Sequence, residues 1–223
     1  MTTVILLRHA HSTANEKGVL AGRTPGVLLS KKGVAQAINL KNRLGGLEFK
    51  DIRMSPLERC EATIKPWANE RNISSSLITF DEDLSEVDYG QWTGKKLSTL
   101  ALRKEWRVVQ KNPSQMIFPG GESLSQVQLR AERALMRSVK RAGKAFSLIV
   151  SHGDVIKSII ASALQLDLDK FQKIVIDPAS ISILDFNKSG FRLLHLNDQH
   201  TNFEYLNKSS RSMKTLVGGG AGH

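Results

Sequence analysis

Short apolar runs and longer amphipathic segments take turns along this chain. Apolar runs at Thr3–Leu7, Ile52–Met54 and Ser147–Val150 are bounded by polar residues and predict buried strands. Two further runs, Ser180–Phe186 and Phe191–Leu196, enclose a turn-forming segment and predict a hairpin. The alternation of strands with helical patterns is typical of an α/β domain.

Helical periodicity follows the first strand. Ser30 can cap a helix that runs to about Leu44, where a Gly-Gly pair would end it. The spacing predicts that Val34, Ile38 and Leu44 lie on the buried side of this helix.

Three more helices are expected. One starts at Ser55-Pro56, with serine as the N-cap and proline at the first helical position, and it should be interrupted near Pro66. Ser123 and Gln126 form a capping box for a helix that extends to about residue 142. Val155–Leu164 is the last of the three.

These elements predict one domain over residues 1–206. We expect a three-layer α/β sandwich with a mostly parallel central sheet and helices on both faces. After residue 206 the chain turns polar and ends in Val-Gly-Gly-Gly-Ala-Gly-His, so residues 207–223 are predicted to form a flexible tail.

Composition narrows the class of protein. A hydrophobic content of 40% in 223 residues is enough for a full core. No run reaches about 18 apolar residues, so no membrane association is expected. A single cysteine, Cys60, excludes an intrachain disulfide, and the cytoplasm is the simplest compartment.

The positive charge is concentrated in one stretch. The chain carries a formal net charge of +11, and residues 95–144 alone hold twelve Lys or Arg against three Glu. A solvated helical face, a nucleic-acid surface and an attractor for an anionic substrate are all compatible with this. The stretch lacks the interleaved aromatic residues that stack on bases, so we expect no nucleic-acid partner. Arg103, Lys104 and Arg107 could cover a substrate pocket.

Polar residues follow three of the predicted strands. Arg8 and His9 come after the first strand, Arg59 lies just beyond the second, and His152 follows the Ser147–Val150 strand. In open α/β sheets the carboxyl ends of parallel strands form the ligand site. Two arginines and two histidines at one edge would attract an anion, and arginine forks suit phosphate oxygens.

Such a site could also transfer a phosphoryl group. A neutral imidazole is a competent nucleophile toward phosphorus, and arginines offset charge on the equatorial oxygens. The leaving alcohol then needs a proton donor. Residues 81–88 hold five acids, and crowding of carboxyl groups should raise the pKa of one of them.

At this point the sequence closely resembles the histidine phosphatase superfamily, in its phosphoglycerate mutase-like branch. Five blocks match in order: Arg8–Asn15 (RHAHSTAN), Ser55–Arg59 (SPLER), Leu84–Gly94 (LSEVDYGQWTG), Gly120–Ser123 (GGES) and Ser151–Gly153 (SHG). Strings at 86–90, 106–110 and 151–157 also resemble actinobacterial members regarded as phosphomutases. Ala10 departs from the family, which usually has glycine there; a methyl group near the phosphate should be tolerated.

The resemblance implies a role for each residue. His9 would accept the phosphoryl group and form a phosphohistidine, and Glu86 would donate the proton, with Glu82, Asp83 and Asp88 as its competitors. The phosphate would be held by Arg8, Arg59, His152, Ser12, Asn15 and the Gly153 backbone.

The expected activity is that of a metal-independent phosphatase acting on phosphate monoesters. A phosphoglycerate-type phosphomutase is the alternative; only 25 residues separate Gly94 from Gly120, and this short insertion favours hydrolysis. A phospho-ligand-binding protein without turnover is a remoter alternative. We expect a small phosphorylated metabolite as partner, no cofactor and no metal, and either a monomer or a homodimer.

Overall fold

The computed structural model describes residues 1–208 and contains a six-stranded sheet in the order β3-β2-β4-β1-β5-β6. The strands are β1 (Thr2–Arg8), β2 (Phe49–Met54), β3 (Ile78–Phe80), β4 (Phe146–Ser151), β5 (Ile181–Asn187) and β6 (Gly190–Asp198).

The four strands β3, β2, β4 and β1 are parallel. Strand β5 is antiparallel to β1 and forms the predicted hairpin with β6. The carboxyl ends of β1, β2 and β4 therefore meet at one edge, as the sequence predicted.

Helices cover both faces of the sheet. They are α1 (Thr13–Glu16), α2 (Lys31–Leu44), α3 (Glu58–Glu70), α4 (Leu97–Leu100), α5 (Lys104–Lys111), α6 (Leu124–Ala142), α7 (Gly153–Ala163) and α8 (Tyr205–Lys208). Short 3₁₀ turns occupy Ser75–Leu77, Glu82–Leu84, Gly90–Trp92, Pro113–Gln115 and Leu168–Lys173.

Strand β1 divides the core into two layers. Val4 and Leu6 pack with residues of α6 and α7, whereas Ile5 and Leu7 pack with residues of α2 and α3. Successive side chains of a strand point to opposite faces, so one strand serves both layers. The predicted three-layer sandwich with a mostly parallel sheet is confirmed.

The predicted buried face of α2 was right for Leu44, which is fully buried, and wrong for the other two residues. Val34 and Ile38 are 49% and 53% exposed. The buried face runs instead through Gly33, Ala37, Leu40 and Leu44. A Cβ at Gly33 would lie 1.9 Å from the His11 carbonyl oxygen, so this close approach sets which side of the helix faces inward.

The predicted start and interruption of α3 were also wrong. The helix begins at Glu58, and Ser55 lies before it without capping it. Pro66 lies inside a helix that continues to Glu70. Buried Ile64 and Trp67 on either side of Pro66 hold this segment against the core, which offsets the hydrogen bond that proline removes.

The chain beyond the hairpin forms α8, so helical structure extends slightly past the expected domain boundary at residue 206. The rest of the predicted tail, residues 209–223, lies outside the described residues. Within residues 1–208, no helix has the length and apolar character needed to span a membrane.

Candidate active site

The strand ends bring the predicted site residues together. Arg8 is the last residue of β1 and pairs with Ser151 at the end of β4. The chain then places His9 and His152 side by side, with ring centroids 5.1 Å apart. Arg59 enters from the first turn of α3.

A cavity of about 200 Å³, called the phosphate cavity below, opens at this edge. Its walls include seven of the eight predicted site residues, and the eighth, His152, lies next to His9 and Glu86. The lining residues are Arg8, His9, Ser12, Asn15, Val19, Leu20, Ala21, Gly22, Arg59, Glu86, Tyr89, Leu97, Gly153, Asp154, Lys157 and Ile176.

His9 is held in one tautomer. Its Nδ1 lies 2.8 Å from the Ala10 carbonyl oxygen. A carbonyl only accepts, so Nδ1 carries the proton and Nε2 keeps a lone pair. Burial, followed by the charges of Arg8 and Arg59, lowers the pKa of His9 well below its usual value. The imidazole is therefore neutral at neutral pH and can act as a nucleophile.

Two arginines present free donors. Arg8 Nη1 donates to the Ile176 carbonyl at 2.6 Å, and Arg59 Nη2 donates to the Gly22 carbonyl at 2.8 Å. Arg8 Nε and Arg59 Nη1 are buried and have no hydrogen-bond partner among residues 1–208. Buried donors of this kind require an acceptor, and a phosphoryl group offers several.

His152 is oriented by Ser55. Its Nε2 lies 2.8 Å from Ser55 Oγ, which accepts from the Leu57 N–H at 3.3 Å. When the Ser55 hydroxyl donates to Nε2, the ring proton lies on Nδ1. That Nδ1 is buried and lacks a hydrogen-bond partner in the described chain. Burial and then Arg59 lower the pKa of His152, so the ring is neutral.

Glu86 and Asp154 are the two carboxyl groups that line the phosphate cavity. Glu86 Oε2 lies 3.8 Å from His152 Nδ1, and Glu86 Oε1 accepts from the Val87 N–H at 2.9 Å. Burial, reinforced by Asp154 and opposed by Arg59, raises the pKa of Glu86 to about 7. Glu86 can therefore hold a proton near neutral pH and give it up.

The other acids of residues 81–88 are not what raises the pKa of Glu86; burial and Asp154 are. Asp81 and Asp83 both accept hydrogen bonds from Arg137. Burial would raise the pKa of Asp83, but hydrogen bonds from Arg133 and Arg137 outweigh it, and the pKa falls. Glu82 and Asp88 each accept from a neighbour within three residues. The competitors of Glu86 do not line the phosphate cavity.

Ser12 and Asn15 form a reciprocal cap at α1. Asn15 Oδ1 accepts from the Ser12 N–H and hydroxyl at 3.0 and 2.9 Å, so its amide NH₂ is available to a ligand. Gly153 begins α7, and a Cβ there would lie 3.3 Å from Arg8 Cζ. Glycine thus lets the guanidinium of Arg8 approach the helix N-terminus closely.

Ala10 is not among the residues that line the phosphate cavity. The residue is fully buried, and its N–H donates to Thr63 Oγ1 at 2.8 Å. Its contribution to the site is the carbonyl group that holds His9, and any residue at this position supplies one. The departure from glycine therefore does not narrow the approach of a ligand.

The prediction that three basic residues cover the substrate pocket was wrong. Arg103, Lys104 and Arg107 are exposed. They line neither the phosphate cavity nor a second cavity of about 280 Å³ that lies beside it. Trp106 and Val109 of α5 face inward instead. The helix is amphipathic, so its charged side faces solvent and its apolar side covers the neighbouring cavity.

Sequence reasoning missed three polar residues of the phosphate cavity. Tyr89 donates to Asp154 Oδ2 at 2.9 Å, and Lys157 Nζ lies 3.3 Å from Asp154 Oδ1. Asp154 and Lys157 follow the Ser-His-Gly block at helical spacing, which was a usable signal. Asp154 matters because its charge helps to keep Glu86 protonated.

The fold also groups three potential metal ligands that are far apart in the sequence. One ligand atom each from His9, Glu86 and His152 lies within 4.8 Å of the others. Arg8 and Arg59 border the same space. Two positive charges oppose a cation and attract an anion, so this set of groups suits a phosphoryl group better than a metal ion.

Comparison with known proteins agrees with a site for a phosphoryl group. A family model for the histidine phosphatase superfamily (branch 1) matches residues 4–199. Phosphoserine phosphatase 1 of Hydrogenobacter thermophilus is 30% identical over 202 residues, which cover 88% of this chain and 92% of that protein. "Probable phosphoglycerate mutase GpmB" of Salmonella choleraesuis is 28% identical, with 85% and 87% covered. The chain spans only 37% to 54% of several other, longer relatives.

Solved structures share the architecture. YhfR of Bacillus stearothermophilus is 27% identical with a TM-score of 0.81, covering 89% of this chain and 98% of that one. Phosphoserine phosphatase of Entamoeba histolytica, in complex with 3-phosphoglyceric acid, has a TM-score of 0.79 at 23% identity, over 89% and 98% of the two chains. The latter identity supports the fold alone.

The matched family model spans nearly all of the described chain, and the fold agrees with the solved structures. The relatives include both phosphatases and a mutase-type protein. This chain therefore belongs to the histidine phosphatase superfamily, branch 1, whose members are phosphatases or phosphomutases.

Proposed function

We propose that this protein hydrolyses phosphate monoesters without a metal, through a phosphohistidine at His9. The observation that carries the proposal is the state of two groups in one cavity. His9 is neutral with a free Nε2, and Glu86 has a pKa of about 7. A nucleophile and a proton donor are thus both ready near neutral pH.

In the first step, Nε2 of His9 attacks phosphorus and the bond to the ester oxygen breaks. Glu86 gives its proton to the departing alkoxide, which leaves as an alcohol. The imidazole becomes cationic, and the Ala10 carbonyl stabilises its Nδ1–H. Arg8, Arg59 and His152 donate to the phosphoryl oxygens, where charge is spread during in-line transfer.

In the second step, water attacks phosphorus from the side that the alcohol has left. The Glu86 carboxylate takes a proton from this water, and the N–P bond breaks. Inorganic phosphate departs, His9 returns to its neutral form and Glu86 is protonated again. One carboxyl group therefore serves as acid and then as base.

The two arginines supply the positive charge that a divalent ion provides in other phosphatases. We therefore expect full activity after exhaustive chelation, and no gain when Mg²⁺ is added to the chelated enzyme. Loss of activity on chelation, restored by a divalent ion, would show instead that His9, Glu86 and His152 act as ligands.

A phosphomutase is the second candidate, and the similarity to the mutase-type relative from Salmonella supports it. A mutase must return the phosphoryl group to an alcohol before water reaches it. Incubation with a phosphate ester that is radiolabelled in its phosphoryl group, together with an unlabelled alcohol acceptor, distinguishes the two activities. A phosphatase releases inorganic phosphate in a one-to-one ratio with alcohol, whereas a mutase transfers most of the label to the acceptor.

We also propose a small phosphorylated metabolite as the substrate and the cytoplasm as the compartment, with residues 1–206 as the catalytic unit, in a monomer or a homodimer. Nucleic acid is not proposed as a partner. Three arginines of the basic stretch, Arg130, Arg133 and Arg137, are already paired with carboxylates of this chain.

The mechanism is tested by trapping the intermediate. Rapid quenching of the protein with a radiolabelled phosphate ester should give an acid-labile, base-stable adduct on His9. His9→Ala should lose the adduct and at least about 10⁴-fold in turnover. His195→Ala is the matched control, because His195 lies outside the phosphate cavity against Tyr205. An adduct on a serine, or turnover without any adduct, contradicts the mechanism.

A further inference from the structure

A second cavity of about 280 Å³ lies beside the phosphate cavity. Both cavities are lined by Leu20, Tyr89, Leu97, Asp154 and Lys157. A phosphoryl group in the first cavity would leave the rest of its ester facing the second. We call the second cavity the alcohol chamber; its other lining residues are Trp92, Trp106, Val109, Gln110, Phe118 and Gln172.

Four aromatic side chains, those of Tyr89, Trp92, Trp106 and Phe118, are among the residues that line the alcohol chamber. Trp92 and Trp106 are stacked, with centroids 6.2 Å apart and planes at 21°. Phe118 meets Trp92 edge-on at 5.4 Å and Tyr89 edge-on at 4.9 Å. Such walls favour a flat ring, which gains stacking or edge contacts beyond the burial of its area. A cavity of roughly 150 Å³ already holds benzene, so a substituted ring fits this one.

The alcohol chamber offers no net charge to its occupant. Its charged lining residues within the described chain are Asp154 and Lys157, which lie 3.3 Å apart. Lys157 also donates to Gln172 at 3.1 Å. An anionic or cationic alcohol would have to break this pair or enter without a partner of its own, and both cost free energy. An uncharged alcohol avoids the penalty.

One donor in the chamber wall lacks a partner. Trp92 is 1% exposed, and its Nε1–H has no hydrogen-bond partner among residues 1–208. A buried donor left unsatisfied costs free energy. Because Trp92 lines the chamber, an acceptor atom on an occupant that reaches Nε1 would satisfy this donor.

We infer that the substrates of this enzyme are phosphate monoesters of uncharged alcohols that carry an aromatic ring with a hydrogen-bond acceptor. The inference rests on the proposed phosphatase function and adds the substrate class to it. The phosphoryl group occupies the phosphate cavity, and the ring lies against the aromatic wall that Trp92, Trp106 and Phe118 form.

Substrate preference tests this directly. Ethyl phosphate, 2-phenylethyl phosphate and 3-phosphoglycerate are all alkyl monoesters, so the leaving groups differ mainly in the part that would enter the chamber. We expect kcat/KM for 2-phenylethyl phosphate to exceed that for each of the other two by at least about tenfold, mostly through KM. Equal values, or a preference for 3-phosphoglycerate, would overturn the inference.

Variants of Trp106 test whether the alcohol chamber causes the preference for the aromatic ester. Trp106→Ala should reduce the ratio of 2-phenylethyl to ethyl phosphate severalfold, and Trp106→Phe should retain it. Leu102→Ala is the matched control in the same part of the chain, since Leu102 is 89% exposed and outside the chamber. An unchanged ratio in folded Trp106→Ala overturns the inference. If that variant does not fold, the wild-type ratios above decide.

The unpaired N–H has its own test. A ring with an acceptor nitrogen, in 2-(pyridinyl)ethyl phosphate, should have a lower KM than 2-phenylethyl phosphate for at least one position of the nitrogen. Trp92→Phe removes the N–H, retains the ring and should abolish that difference. No difference in the wild-type protein at any position would show that the acceptor is not required.

The experiments distinguish a wrong substrate class from a wrong phosphatase function. If esters are hydrolysed but rings give no advantage, only the substrate class is wrong. If no ester is hydrolysed, the phosphatase function is wrong, and the chamber is judged by binding of 2-phenylethyl phosphate. Quenching of tryptophan fluorescence that Trp106→Ala removes would support the chamber, and absence of quenching would overturn it.

Discussion

Two groups of arginines in this protein differ in what neutralises them. In the phosphate cavity, Arg8 and Arg59 donate to backbone carbonyls, and no salt bridge to a carboxylate of the described chain is present. On α6, Arg133 and Arg137 bind Asp83, and Arg137 also binds Asp81. The same residue type therefore serves two purposes.

The difference teaches how to recognise a functional charge. A carbonyl orients a guanidinium without cancelling its charge, so the cavity stays positive and can receive an anion. A carboxylate cancels the charge, and the result is a contact between α6 and the 81–84 segment. The carboxylates differ in the same way: burial and Asp154 raise the pKa of Glu86, whereas arginines lower that of Asp83.

The largest expected effect is on the rate of hydrolysis, and it distinguishes Glu86 from Asp83. Glu86→Gln should slow hydrolysis of an alkyl phosphate by roughly 10²–10⁴, the usual range for general acid catalysis. A nitrophenyl phosphate should slow much less, because its leaving group needs little help from a proton. In the wild-type protein the alkyl rate should fall as the pH rises through about 7, where Glu86 loses its proton.

Asp83→Asn is the matched control for Glu86→Gln and should keep the wild-type rate with both esters. Steady-state kinetics with the two esters, from pH 5 to pH 9, are the measurement. An equal loss with both esters in Glu86→Gln would mean that Glu86 only maintains the shape of the cavity.

A smaller effect on kcat/KM should distinguish Arg59 from Arg137. Arg59→Met should lower kcat/KM by roughly 10²–10³, the loss that follows removal of one preorganised donor to a transition state. Its free energy of unfolding should change little, because an unpaired buried charge disappears along with the hydrogen bond to Gly22. Arg137→Met should keep its activity and lose about 1 kcal/mol of stability.

Urea unfolding and kcat/KM on the same two preparations test this contrast. If Arg137→Met loses activity as much as Arg59→Met does, the distinction between a free and a neutralised guanidinium fails.

The last expected effect is on stability as the pH changes. The pKa of Glu86 is raised on folding, so its contribution is fully present below the unfolded value of about 4.5 and is lost as the pH rises through about 7. Glu86→Gln should therefore gain stability relative to wild type between pH 4 and pH 8, by at most about 3 kcal/mol.

Asp83→Asn should behave in the opposite sense. The pKa of Asp83 is lowered on folding, so its contribution is present above the unfolded value and is lost in acid. The deficit of this variant should be visible at pH 7 and shrink toward pH 3. Unfolding curves at four pH values measure both trends, and parallel trends in the two variants would contradict the comparison.

The sequence predicted local elements best where one local rule decides. The capping box of Ser123 and Gln126 starts α6, and Gly143 ends it. The start of α3 and the buried face of α2 could not be predicted, because each depends on a contact distant in sequence. Ser55 bonds to His152 instead of capping a helix, and Gly33 packs against the His11 carbonyl.

The sequence by itself determined the three polar strand ends and the five ordered blocks, and hence the family and the expected site residues. Only the tertiary structure decided how the charges are used. It joins Arg137 to Asp81 and Asp83, turns Arg103 and Arg107 toward solvent, and leaves Arg59 free of carboxylates. Pairing and burial depend on distances between residues far apart in the chain, and a linear pattern does not contain those distances.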